Sequence, residues 1–192
     1  GIVALSKKEE DSVLDLFVAT THHLVLFFTD QGRVYRAKAY QVPLASRTAR
    51  GIPIVNIVPL EPQENITSWL AVKSYDQGGY LFMVTKQGMV KKTALEAYDT
   101  PLRSKGLIGI NVNNGDELRW VMWTDGTKDI VLATRLGKAL RFSEKDARPM
   151  GRAAAGVKGI KLVKGDELVS TVVVNADEER DLLTVAEKGL GK

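Results

Sequence analysis

The sequence predicts an all-β fold, a β-propeller built from blades of about four antiparallel strands. Three observations carry this. An apolar run closed by a Thr-x-x-Gly turn recurs about every fifty residues, a second glycine follows each complete copy at a nearly constant distance, and no segment sustains the period of a helix. A repeat of this length with several short strands has the size of a propeller blade, whereas helical solenoids show a sustained 3.6-residue pattern. A pair of β-sandwiches is the weaker alternative, since it would leave the repeat a coincidence.

The first copy runs from Leu24 to Gly32 and continues into Arg33-Val34-Tyr35-Arg36. The second, Leu81 to Gly88, leads into Met89-Val90-Lys91-Lys92, and the third, Asp129 to Gly137, leads into Lys138-Ala139-Leu140-Arg141. A worn fourth copy spans Leu182 to Gly189. Each complete copy is followed by an arginine a few residues before another glycine, in Arg47-Thr48-Ala49-Arg50-Gly51, Arg103-Ser104-Lys105-Gly106 and Arg152-Ala153-Ala154-Ala155-Gly156. The glycine-to-glycine distances are 19, 18 and 19 residues.

Strand-like residues come next: Ile52-Pro53-Ile54-Val55, Leu107 to Val112 and Val157 to Leu162. A turn follows, Gly115-Asp116-Glu117-Leu118 in the second unit and Gly165-Asp166-Glu167-Leu168 in the third, with Pro62 to Ile66 in the equivalent place of the first. The recurrent acids of these turns are expected from turn propensity. The pattern divides a single domain, 1–192, into units of approximately 1–50, 51–105, 106–155 and 156–192, roughly four blades. Gly1-Ile2-Val3-Ala4-Leu5 matches the phase of Gly51 to Val55, and both ends cut through repeats, so a fragment of a longer propeller is expected.

Composition narrows the function. With 44% hydrophobic and 26% charged residues the chain has the make-up of a folded globular domain. The absence of cysteine excludes disulfides, thiolate metal sites and a cysteine nucleophile. No apolar stretch approaches the roughly 18 residues needed to span a bilayer, and the first residues lack a signal-peptide layout, which makes a cytoplasmic location the expectation.

The net charge of +4 is unevenly spread. Between turn glycine and landmark glycine, residues 33–50 carry +5, residues 89–105 carry +2 and residues 138–155 carry +3. The rest of the chain therefore sums to −6. In a propeller, equivalent segments lie at equivalent places on successive blades, so the basic residues are expected to form a repeated stripe. Such a stripe suits duplex phosphates, whose neutralisation releases counterions without base contacts. The alternatives are ordinary solvated loop cations and a propeller that scaffolds other proteins, which would favour exposed apolar patches.

The blade units, the Arg-x-x-x-Gly landmarks, the stretch Asp146 to Arg152 and the segments Phe27 to Arg36 and Ala45 to Gly51 resemble the C-terminal DNA-wrapping domain of the DNA gyrase A family. The related topoisomerase IV protein comes second, because its propeller has degenerate boxes whereas the repeats here are even. The resemblance implies a hairpin-invaded propeller, the β-pinwheel, whose basic rim binds, bends and wraps DNA without sequence preference. The rim role then falls on Arg33, Arg36, Lys38, Arg47, Arg50, Lys91, Lys92, Arg103, Lys105, Lys138, Arg141, Arg148, Arg152 and Lys158. The partners it implies are double-stranded DNA, the rest of the gyrase A polypeptide and the gyrase B polypeptide of an A2B2 parent. ATP and magnesium act elsewhere in that ATP-dependent supercoiling enzyme, so no cofactor is expected in this chain. The family's glutamine-arginine-glycine-rich box is absent, the chain starting just after its expected position.

No catalytic or metal centre is expected. His22 and His23 are adjacent at the entrance to a strand, where successive side chains point to opposite faces. Tyr35, Tyr40, Tyr75, Tyr80 and Tyr98 lack the clustered acids and bases that would activate a nucleophile, and no G-x-x-x-x-G-K-[ST] cradle occurs.

Overall fold

A computed structural model describes residues 16–46, 49, 51–101, 105–179 and 181–191. Among these residues eleven strands form three antiparallel sheets. In chain order they are β1 (Leu24–Thr29), β2 (Arg33–Lys38), β3 (Ile66–Val72), β4 (Tyr80–Thr85), β5 (Met89–Ala94), β6 (Leu107–Ile108), β7 (Leu118–Thr124), β8 (Lys128–Thr134), β9 (Ala139–Ser143), β10 (Val157–Lys158) and β11 (Leu168–Asn175). The only helical pieces among the described residues are short 3₁₀ turns. None of them is long and apolar enough to cross a membrane.

Each sheet is built on the hairpin that the Thr-x-x-Gly turn closes. The order is β3-β1-β2-β6 in the first sheet, β10-β5-β4-β7 in the second and β11-β8-β9 in the third. The outermost strand of the first two sheets thus comes from the next repeat. Val34 pairs with Leu107 and Arg33 with Ile108, as Val90 pairs with Val157 and Met89 with Lys158. Gly109 N–H donates to Gly32 O and Gly159 N–H to Gly88 O, both at 2.8 Å, fixing each invading strand to the turn glycine of the preceding hairpin.

The landmark glycines are what let the invading strand approach. Gly156 has φ +87, and a Cβ there would collide with the Val90 carbonyl; Gly106 has φ +66 and would meet the Tyr35 ring at 2.9 Å. Both are conformations and distances that an L side chain reaches only with strain.

Strand composition follows which faces are covered. Along β1, Leu24, Leu26 and Phe28 pack toward the second sheet with Leu81, Met83, Leu118 and Val121, while Val25 and Phe27 face a cluster with Tyr35, Ala37 and Val58. Along β4, Leu81 and Met83 face the first sheet, and Phe82 and Val84 join Ile130, Leu132 and Ile160 against the third. Strands buried on both sides read as unbroken apolar runs. On β8 only alternate residues, Ile130, Leu132 and Thr134, are fully buried, because the sheet has one covered face. Each large side chain so buried contributes about 1.5 to 3 kcal/mol.

Among the described residues the strands form three sheets, and the worn fourth copy forms the isolated bridge Val185 to Gly191. One expectation is corrected: Ile52 to Val55 is no strand, since a 3₁₀ turn spans Ile54–Asn56. Its counterparts in β6 and β10 are strands because a preceding sheet receives them.

The recurrent turn acids have a fuller cause than turn propensity. Thr85 Oγ1 donates to Asp116 Oδ2 at 2.6 Å and accepts from Met89 N–H at 3.1 Å, while Asp116 Oδ1 accepts Gln87 N–H at 2.8 Å. Thr29 repeats the arrangement with Glu64 and Arg33 N–H, and Thr134 with Asp166 and Lys138 N–H. The threonine and the acid thus lock a hairpin to the turn that opens the next strand. Gln63, with φ +68, stands where Gly115 and Gly165 stand in the other two.

Candidate nucleic-acid interface

Strand invasion brings basic residues from distant segments onto one seam. Arg33 begins β2, Lys105 precedes β6, which lies beside β2, and Arg152 sits in the loop that leads to β10. These three residues, with Gly106, Leu107, Ile108, Gly151 and Ala153, line an open groove of about 890 Å³. Arg33 is held in place: Nη1 donates to Lys105 O at 2.7 Å, and Nε lies 3.4 Å from Oε1 of the buried Glu64. Glu64 Oε2 accepts the Tyr35 hydroxyl at 2.6 Å. Burial, then the Glu64 hydrogen bond, pushes the Tyr35 phenol well above its ordinary range.

Further along β2, Arg36 lies over the Tyr75 ring at 5.7 Å and donates to its hydroxyl at 3.1 Å. Arg36 and the exposed Lys38 border a second hollow, of about 700 Å³, with Lys73 and Tyr40. Lys73 did not emerge from the sequence because it lies outside the repeated basic segments. Lys138 is exposed, with Nζ donating to Lys161 O at 2.9 Å. Arg148 and Lys158 are also exposed. Arg141 is exposed but pairs with Asp129 at 2.8 Å and borders a hollow with Asp177, Glu178, Glu179 and Asp181. Its charge is therefore largely answered within the chain.

Lys91 and Lys92 are corrections to the expected rim, for neither reaches solvent. Lys91 is fully buried, and its Nζ donates to Gly109 O and Arg152 O at 2.5 Å each. Burial, and secondarily the Arg152 guanidinium, lowers its pKa to about 8. Lys92 Nζ donates to Glu144 O at 2.7 Å and lies 5.1 Å from the Tyr80 ring centre. Burial lowers its pKa, against the opposing pull of Glu144. Strand alternation should have exposed one of the pair. Both are covered because a loop of the next repeat crosses one face and Tyr80 and Glu144 cover the other. Arg47, Arg50 and Arg103 lie outside the described residues.

Among the described residues no cluster of three or more His, Cys, Asp or Glu side chains could hold a metal. His22 is exposed, and His23 Nδ1 accepts Thr20 N–H at 3.3 Å.

A propeller whose blades exchange strands and gather cations along the seam between them is the class this architecture defines. The chain belongs to the family described as DNA gyrase C-terminal domain, beta-propeller, whose model matches residues 23–73, 79–122 and 128–175. It is 48% identical over 192 residues to the DNA gyrase A protein of Salmonella typhimurium and 44% identical over 193 residues to that of Staphylococcus epidermidis. Each alignment covers 100% of this chain and 22% of the relative, so the chain spans about a fifth of the length of those proteins. Among solved structures, the C-terminal domain of DNA topoisomerase IV matches with a TM-score of 0.86 and 33% identity, covering 98% of this chain and 58% of that one. The DNA gyrase A C-terminal domain matches with a TM-score of 0.72 and 25% identity, covering 90% and 54%.

Proposed function

We propose that this chain binds duplex DNA through its phosphate backbone, and that successive basic seams bend the duplex as part of a gyrase A protein. The observation that carries this is the groove between the first two blades, where Arg33, Lys105 and Arg152 converge from segments far apart in sequence. A groove with three cations and two glycines among its lining residues lets a phosphodiester backbone approach closely, and it offers no rigid pattern of donors that would select bases. The role in the whole enzyme, wrapping a DNA segment for an A2B2 assembly that supercoils DNA with ATP, is the function this binding would serve. Catalysis and nucleotide binding fall to the rest of that enzyme. The structural and sequence similarity to gyrase and topoisomerase IV C-terminal domains supports the reading.

The test is duplex binding measured by fluorescence anisotropy across about 50 to 200 mM salt with several unrelated sequences. Backbone binding through several phosphates lowers affinity by one or more orders of magnitude over that range, alike for every sequence. Binding that is absent at low salt, or confined to one sequence, would overturn the proposal.

A further inference from the structure

We propose that Lys91 is a positioning residue for the DNA groove: its buried ammonium ties the Arg152 carbonyl to the Gly109 carbonyl and so fixes where the Arg152 loop lies against the first blade seam. The inference rests on the groove being the DNA site, but its geometry stands apart from that. Lys91 belongs to β5, Gly109 follows the strand that invades the first sheet, and Arg152 precedes the strand that invades the second. One ammonium therefore joins two consecutive invading segments. No other buried lysine among the described residues spans two such segments; the Lys92 ammonium reaches Glu144 and lies over the Tyr80 ring.

The loop is clasped at further points. Asn111 Nδ2 donates to Ala153 O, Asn111 N–H to Ala154 O at 3.1 Å, and Met150 N–H to Lys92 O at 2.8 Å. Three successive carbonyls, of Arg152, Ala153 and Ala154, thus accept from Lys91 and Asn111. The Arg152 backbone is thereby fixed where that residue lines the groove. The equivalents of Lys91 in the other hairpins are Tyr35 and Leu140, and neither can make this bond pair. In the first blade Arg33 does comparable work on the Lys105 carbonyl.

The clasp is sensitive to protonation. Two groups face the ammonium: the Arg152 guanidinium, which disfavours its charge, and the Tyr98 hydroxyl, which shares Gly109 O at 3.3 Å. Tyr98 is itself held neutral by burial. With a pKa near 8, Lys91 loses its proton in mildly alkaline solution. Its bonds then cease to be charge-assisted, which roughly halves their strength.

The experiment measures duplex DNA affinity of the 192-residue chain, wild type, Lys91→Met and Asn111→Ala, at about pH 7 and about pH 9, with the salt slope at each. The wild type should weaken roughly threefold to tenfold on going to the higher pH, a loss of the clasp and not of a phosphate contact. Lys91→Met should be weaker by a similar factor already at the lower pH, show no further loss at the higher one, and keep the wild-type salt slope. Asn111→Ala, an exposed substitution that leaves the core intact, should weaken binding yet retain the pH dependence. A Lys91→Met chain that binds as the wild type does, or keeps its pH dependence, overturns the proposal. Should the wild type not bind duplex at all, the functional reading fails, and hydrogen exchange decides Lys91 separately. Reduced protection of the Asn111 and Met150 amides in Lys91→Met upholds its positioning role, and wild-type protection refutes it.

Discussion

Lys91 and Lys92 show how far a residue can depart from what its neighbours in sequence suggest. In β5 they read as two cations at the head of a basic segment. The fold buries both, because the invading loop of the next repeat passes over the strand. Burial has a measurable consequence for stability. The folded pKa of Lys91 is lowered from 10.5 to about 8, so between those values the unfolded chain binds more protons than the folded one. Stability must therefore rise with pH through that window. Tyr35 and Tyr98, whose folded pKa values are raised above the ordinary 10.0, reverse the trend above about pH 10: the unfolded phenols ionise there while the folded chain keeps the protons, so stability falls as pH rises further. Chemical denaturation should show wild-type stability increasing by of order 2 to 3 kcal/mol from about pH 8 to about pH 10. Lys91→Met should show a clearly smaller rise there, what remains coming from Lys92, whose pKa burial also lowers; a rise equal to that of the wild type would place the titrating group elsewhere. The gain is global, arising from relief of a buried charge, and coexists with a looser Arg152 loop.

At the scale of elements, hairpins and turns were legible, and the strands that leave their own repeat were not. Apolar runs such as Leu81 to Val84 declare themselves because they are buried on both sides. Two-residue strands such as β6 and β10 exist only through their partner, which is why the equivalent Ile52 to Val55 looked like a strand and is not one. The threonine and acid of each unit were visible as a recurrence but not as a bond, since 31 residues separate Thr85 from Asp116. Replacing Asp116 by alanine strands the Thr85 hydroxyl and the Gln87 N–H, and should destabilise the chain by about 1 to 3 kcal/mol in urea melts. Glu117→Ala, which removes only partly exposed ion pairs to Lys86 and Arg119, should stay within about 1 kcal/mol of the wild type. A milder effect at Asp116 than at Glu117 would contradict the lock assigned to it.

Over the whole molecule, the sequence located the charge by segment and the structure sorts it by side. Arg33, Lys105 and Arg152 meet at one seam, Arg36 and Lys38 lie at the far end of β2 beside Lys73, and Arg141 is answered by Asp129. The tally by segment could not make these distinctions, because strand exchange carries neighbours in sequence to different blades. Arg33 is a poor probe of the groove, since its loss also leaves Glu64 and the Lys105 carbonyl short of a partner. Lys105 and Arg152 are better: Lys105 is exposed, and the Arg152 guanidinium disfavours the buried charge of Lys91, so its loss removes no support from that site. The most direct test is the salt slope of duplex binding for the chain with Lys105→Gln and Arg152→Gln together. If the seam is the DNA site, affinity falls for every sequence and the slope shrinks by about one to two units, the loss expected for one or two phosphate contacts. Unchanged affinity and slope in a folded variant would contradict the seam as the place where this propeller meets DNA.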